Sequence, residues 1–185
     1  MQETVERVNR DLFYKVASEL EKERLEAAIQ LINEISSVDP ESGAKEWEYV
    51  LDRLIKGLAS NRGGARLGFS MCLTEVVALA LDKGALLSSI DEFLDRLDQT
   101  LGGKDGVKNG KEERGLLFGQ MFALQALLNE PVFSKVFLTK SNSGLNIEFL
   151  LKFLEKLIHL ALLKTWLREP CLYSVYQTIR KCEQW

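Results

Sequence analysis

The sequence predicts an all-α fold, and three observations lead there. Apolar residues recur at spacings of three and four through most of the chain, no segment sustains the period-two alternation of a strand, and the three prolines, Pro40, Pro131 and Pro170, fall between the periodic stretches. Pairs of predicted helices begin near residues 8, 44, 88 and 145, close to the roughly 40–47-residue period of stacked helix pairs. That spacing selects an α-solenoid of HEAT/armadillo-like helical hairpins, with a compact helical bundle as the alternative. Similarity between the pairs is faint, Ser70 to Leu73 against Gln120 to Ala123 being the clearest.

The elements follow in order. Val5, Val8, Leu12, Val16 and Leu20 predict a first one-sided helix, and Leu25, Ala28, Ile29, Ile32 and Ile35 a second. After the loop from Ser36 to Gly43, the row Trp47, Val50, Leu51, Leu54, Ile55 and Leu58 predicts a third, closed by a tight turn over Asn61-Arg62-Gly63-Gly64. From Leu67 to Leu81 the polar side chains are Ser70, Thr74 and Glu75 alone, so this helix is expected to be covered on most sides. Ser88 and Asp91 form a variant capping box for a helix carrying Ile90, Phe93, Leu94, Leu97 and Leu101. A flexible polar loop is predicted over residues 102–111, then an apolar helix from Arg114 to Asn129 and a short segment from Val132 to Leu138. A long helix from about 145 to 164 and a last one from about 169 to Trp185 complete the set.

Composition bounds the function. The 185 residues carry 24 basic and 27 acidic side chains, a net charge of −3, which argues against nucleic acid coating the whole surface but leaves room for a local basic patch. Cys72, Cys171 and Cys182 are odd in number and lack C-x-x-C spacing, so neither a disulfide framework nor a zinc site is expected, and a reducing compartment is. The N-terminus lacks the pattern of a secretory signal. The apolar stretch from Phe149 to Trp166 is broken by Lys152, Glu155, Lys156, His159 and Lys164, which makes it amphipathic rather than membrane-spanning. No polar capping helix follows Tyr173, Tyr176 and Ile179, so the chain reads as a single helical-repeat domain over residues 1–185 and the amino-terminal segment of a longer repeat protein.

Candidate sites are few. Arg53, Lys56, Arg62 and Arg66 surround the turn between the third and fourth helices, where free N–H groups and the helix dipole favour phosphate. The competing reading, favoured here, pairs Arg53 and Arg66 with Glu46, Glu48 or Glu75 and makes the group structural. Glu75, on the most apolar helix, is expected to need a partner such as Arg66 or Arg114, and a catalytic role has no second acid beside it in sequence. Asp91, Asp95 and Asp98 share a helix face and could collect a divalent cation, although such rows are mostly solvated surface. The loop at 102–111 fails the phosphate-loop pattern but offers Lys104, Lys108 and Lys111 for weak phosphate contact. His159 is the single histidine, too isolated for a triad or metal site, and Tyr173, Tyr176 and Trp185 are expected to meet a neighbouring repeat.

Three segments carry a resemblance. They are RDLFYKVASEL from Arg10 with RLEAA from Arg24; EWEYVLDRLIKGLASNR from Glu46 with ARLGFSMCLTE from Ala65; and ERGLLFGQMFALQAL from Glu113. Together they resemble the amino-terminal region of the DNA polymerase phi, or Myb-binding protein, family over roughly three quarters of the chain. The resemblance implies a nucleolar helical-repeat protein acting in ribosomal RNA gene transcription and ribosome biogenesis by binding nucleic acid and protein. Its implied partners are ribosomal DNA, pre-ribosomal RNA or particles, and transcription or ribosome-assembly proteins. No cofactor, metal, membrane or small-molecule substrate is implied. A DNA-directed DNA polymerase, as the family name suggests, is one alternative, and it would require a pair of carboxylates on a rigid strand to hold two metal ions. The other is a protein-interaction scaffold or transcriptional co-regulator without nucleic-acid contact, which would be far less sensitive to salt.

Overall fold

Helical periodicity becomes helix along most of the chain. The computed structural model describes residues 7–85, 90–102, 110–139 and 144–184. Among them are nine α-helices: α1 (Leu12–Val16), α2 (Glu21–Ser36), α3 (Ala44–Gly57), α4 (Gly63–Lys83), α5 (Ile90–Leu101), α6 (Gly110–Ala126), α7 (Val132–Phe137), α8 (Ile147–Leu163) and α9 (Thr165–Cys182). No strand occurs among the described residues, and Leu138 and Leu145 form one isolated antiparallel bridge. The fold is all-α. Ser88 of the predicted capping box, most of the 102–111 loop and Trp185 lie outside the described residues.

Sequence neighbours pack as pairs, α1 with α2, α3 with α4, α5 with α6 and α8 with α9. The second helices then pack in a row, α2 on α4, α4 on α6 and α6 on α9, while α3 meets α5. At the centre, α4 touches α1, α2, α3, α6 and α7. It is long and apolar enough to cross a membrane by length and composition, and here much of its apolar surface faces other helices: Cys72, Leu73, Val76 and Val77 have no solvent exposure. Gly84, at φ 64°, ends it in the left-handed conformation that suits glycine.

Close backbone approaches hold α4 in this position. A Cβ on Gly68 would run into the Val16 carbonyl oxygen, so glycine lets α4 lie directly on the end of α1. The first helix is shorter than its predicted apolar row, of which Val5 lies outside the described residues. The chain turns after Val16, where the Leu20 N–H donates to Ser18 Oγ (3.2 Å) and Arg24 Nη1 donates to the carbonyls of Ser18 and Glu19, both at 2.9 Å. Leu20 is left 68% exposed. Two further boundaries differ from expectation. Gly63 and Gly64 open α4 instead of forming a turn. Pro170 lies inside α9, because the chain reverses at the single extended residue Lys164 (φ −140°, ψ 135°), ahead of the proline.

A buried carboxylate ties the amino-terminal segment to α3. Glu46 accepts the Val8 N–H (2.9 Å) and both Nη groups of Arg10 (each 2.6 Å). The Arg10 guanidinium also lies 3.6 Å from the Tyr49 ring centroid, and Tyr49 meets Phe13 edge-on at 5.8 Å. One carboxylate therefore satisfies three donors while almost wholly shielded from water, the situation in which removing a partner costs most. Glu46→Ala is expected to lower the free energy of unfolding by about 2–3 kcal/mol, allowing for the partial exposure of Arg10. Urea denaturation measures it, and a loss below about 1 kcal/mol would mean water replaces the carboxylate.

Candidate binding surfaces

The α3–α4 turn is where the sequence places its basic group, and the four side chains divide there. Arg62, extended at φ −94° and ψ 129°, is the N-cap residue of α4 without a side-chain cap, and its guanidinium stands 3.6 Å from the Glu19 carboxylate in solvent. Arg66 turns inward. Its Nη1 donates to the Ser60 carbonyl at 2.7 Å, and its guanidinium lies 5.1 and 5.5 Å from the ring centroids of Phe118 and Phe122 on α6. Its Nε is buried without a hydrogen-bond partner. Arg114 continues the ladder at 5.7 Å from Phe118 and 5.0 Å from Trp166. Arg66 and Arg114 are thus planar cations stacked on aromatic faces, holding α4, α6 and the start of α9 together.

None of the expected ion pairs forms among the described residues. Glu46 takes Arg10, and Glu48 and Asp52 take Arg96 of α5 at 3.7 and 2.6 Å. Glu75 is exposed, not buried, and pairs with neither Arg66 nor Arg114. The α4 face that carries it is the one face no helix covers, so desolvation imposes no partner. Arg53 is half-buried and Lys56 exposed, and neither makes a hydrogen bond or ion pair among the described residues. Gly115 brings α6 to the same turn, its Cβ position only 2.7 Å from the Ala59 carbonyl oxygen. Lys111, exposed one turn earlier on α6, is therefore at this end of the molecule with Lys56. Lys104 and Lys108 lie outside the described residues.

The acidic row on α5 meets lysines. Lys152 on α8 reaches Asp91 at 3.1 Å and Glu148 at 2.9 Å, and Lys156 reaches Asp98 at 2.6 Å. Hydrogen bonds to Glu148 and then Asp91 raise the Lys152 pKa. The pairs to Asp91 and Asp98 cross an open groove of about 1030 Å³ between α5, α6 and α8, with Asp95, Glu155 and the exposed His159 on its walls. Carboxylates neutralised by lysine are poor ligands for a cation, and no group of three or more metal-ligating side chains is assembled among the described residues. The three thiols are buried and free. Desolvation pushes Cys72 up to about 12 and Cys171 to about 11, and raises Cys182, so all three are protonated at neutral pH and weak nucleophiles.

Reasoning from sequence missed the Arg10–Glu46 knot and the arginine–aromatic ladder. The second had a trace, since Phe118 and Phe122 recur one turn apart on a helix whose other apolar residues are Leu, Met, Ala and Gly. Stacking decides what Arg66 does, and it can be tested. Arg66→Lys keeps the charge and loses the planar contact, and is expected to lower Tm by about 3–6 °C. An unchanged Tm in thermal unfolding would return Arg66 to the solvent-facing, phosphate-binding role.

Comparison with known proteins agrees over most of the chain. The family model for DNA polymerase phi matches residues 49–184. The rDNA transcriptional regulator POL5 of Saccharomyces cerevisiae is 50% identical over 187 aligned residues, covering 94% of this chain and 18% of the relative. The rDNA transcriptional regulator pol5 of Schizosaccharomyces pombe is 32% identical over 171, covering 92% and 16%. A Myb-binding protein 1A-like protein of Danio rerio is 27% identical over 117, covering 63% and 8%. The chain thus spans less than a fifth of the length of these relatives. No solved structure matches it. The chain belongs to the DNA polymerase phi family.

Proposed function

We propose that this chain is a non-enzymatic segment of an α-solenoid that acts in ribosomal RNA gene transcription and ribosome biogenesis in the nucleolus, by binding rather than by bond-making. Two relatives are named as rDNA transcriptional regulators, which favours regulation over polymerisation. One structural observation carries the reading. The α8–α9 pair continues its apolar surface past what it buries, with Ile147, Leu151, Ile158 and Leu162 on α8 and Leu172, Tyr176 and Ile179 on α9 all about half-exposed or more. Their spacings of three, four and seven make one stripe on each helix, next to the residues that pack inward. Two adjoining stripes on an antiparallel pair are what another helix pair covers in a stacked array. The same pair-on-pair packing recurs along the row α2, α4, α6 and α9, and relatives more than five times longer supply the chain for further pairs.

A second reading, contact with ribosomal DNA or pre-ribosomal RNA, is favoured by the uncommitted cations at the α3–α4 end. Arg53 and Lys56 in the last turns of α3 and Lys111 in the first turn of α6 make no hydrogen bond or ion pair among the described residues and are open to phosphate. The partners of the whole protein, transcription or ribosome-assembly factors, follow from the same reading.

One experiment separates the two. This chain is placed in the S. cerevisiae relative in exchange for the matching segment, and new pre-ribosomal RNA is measured by pulse labelling. The wild-type graft is expected to support synthesis, and Leu162→Glu/Tyr176→Glu to lose it with the isolated chain still helical. Lys56→Glu/Lys111→Glu is expected to weaken rDNA association in a salt-dependent way. Full function of the α8–α9 variant would contradict the stacked-array reading, and unchanged rDNA association of the charge variant would remove nucleic-acid contact from this segment.

A further inference from the structure

A second uncovered apolar surface lies on the opposite flank from α8 and α9. Helices α2 and α4 start side by side, with Arg24 of α2 against Gly64 and Gly68 of α4. Two turns further along, the groove between them takes in Ile32 and Glu75. The sequence marks Leu25, Ala28, Ile29, Ile32 and Ile35 as the inward face of α2, but the buried edge is Ala27, Ala28, Leu31 and Ile35. Leu25 is 50% and Ile29 52% exposed. The apolar arc of α2 is wider than α1 and α4 cover, and its excess lines a groove with Met71, which α4 likewise leaves in solvent. The result is a trough of about 590 Å³, closed at one end by the turn at Asn129 and Glu130.

Its shape and charge point to one kind of occupant. Two helices side by side, with Leu25, Ile29 and Ile32 at i, i+4 and i+7 on one wall and Met71 on the other, form the seat into which a third helix lays its apolar ridge. The charged side chains lining the trough are Glu75 and Glu130, with no lysine or arginine among the described residues. Glu75 stands one turn beyond Met71, exposed and without a hydrogen bond or ion pair among the described residues. Glu130 is held in position by the Ser134 hydroxyl at 2.8 Å. Two carboxylates at one end of an apolar seat, with no cation to neutralise them, favour a basic partner and oppose an acidic one.

We propose that the α2–α4 groove docks an amphipathic helix of a partner protein, with apolar residues at i, i+4 and i+7 and lysine or arginine placed to meet Glu75 and Glu130. This surface is independent of the α8–α9 face, and neither proposal requires the other. The same carboxylates exclude nucleic acid from the groove, so phosphate binding and helix binding occupy different parts of the molecule.

A fluorescein-labelled Leu/Lys amphipathic peptide about five turns long is the probe, titrated into the full chain by anisotropy, with a Leu/Glu peptide of the same pattern as its counterpart. The Leu/Lys peptide is expected to bind, with amide shifts in NMR confined to α2, α4 and the 129–130 turn. Glu75→Lys/Glu130→Lys, both at exposed positions, is expected to weaken it at least about tenfold and to gain affinity for the Leu/Glu peptide. That reciprocal gain cannot come from a misfolded variant. Failure of the Leu/Lys peptide to bind, equal affinity in the variant, or shifts mapping to α8–α9 or to the α5–α8 groove would each overturn the proposal. So would a dimer in light scattering that Ile29→Asp abolishes, which would assign the groove to a second copy of the chain.

Discussion

One constraint organises this molecule: α4 is apolar on nearly every side, so it must be covered on nearly every side. A fully buried leucine or valine contributes about 1.5–3 kcal/mol, and α4 carries ten buried residues along its length. No single neighbour could shield them. Five helices are drawn against α4, and where side chains would keep the backbones apart the sequence places glycine, at Gly68 against α1 and at Gly115, where α6 reaches the α3–α4 turn. The α3–α4 end, with its candidate basic group, is a by-product of that packing. It exists because α3, the start of α4 and the start of α6 converge on Ala59.

The cations show how folding and binding compete for the same residue types. Arg10 is spent on Glu46, Arg24 on the Ser18–Glu19 turn, Arg66 and Arg114 on aromatic rings, and Arg96 on α3. In each case a guanidinium is used, because its planar, multiply donating head can stack and hydrogen-bond at once. The lysines are placed differently. Lys152 and Lys156 bridge α5 and α8 as point charges in partly exposed pairs, which contribute little to stability, while Lys56 and Lys111 stay open to solvent. Any phosphate contact in this segment therefore falls to lysine, with Arg53 and Arg62, and should be weak and sensitive to salt.

The helices were legible in the sequence because a 3.6-residue period requires no knowledge of neighbours. The core helix, the α3–α4 pair and the boundary at Asn146, whose side chain accepts the Phe149 N–H, all follow from local pattern. The faces were not legible to the same degree. Leu25 and Ile29 sit on an apolar arc broader than the two helices available to cover it, and periodicity alone cannot say which part of such an arc turns inward. Glu75 misled for the converse reason, since an apolar helix composition does not reveal which side lacks a neighbour. Pattern alone predicts a boundary at Pro170, yet a proline within the first two turns removes only one N–H from a ladder that has barely begun, and the chain already reverses at Lys164. The arginine–aromatic ladder depends on contacts between residues some fifty positions apart, which local pattern does not encode.

Native-state hydrogen exchange tests the central role of α4 most directly. If its burial organises the fold, amides from Cys72 to Ala80 exchange only through global unfolding, at the slowest rates in the chain, and the facing amides of α3 and α6 exchange with them, while α9 opens at lower free energy. If α4 instead exchanges as fast as α9, or if α8 and α9 form the slowest unit, then the α8–α9 pair is the stable nucleus and the account built on α4 is wrong.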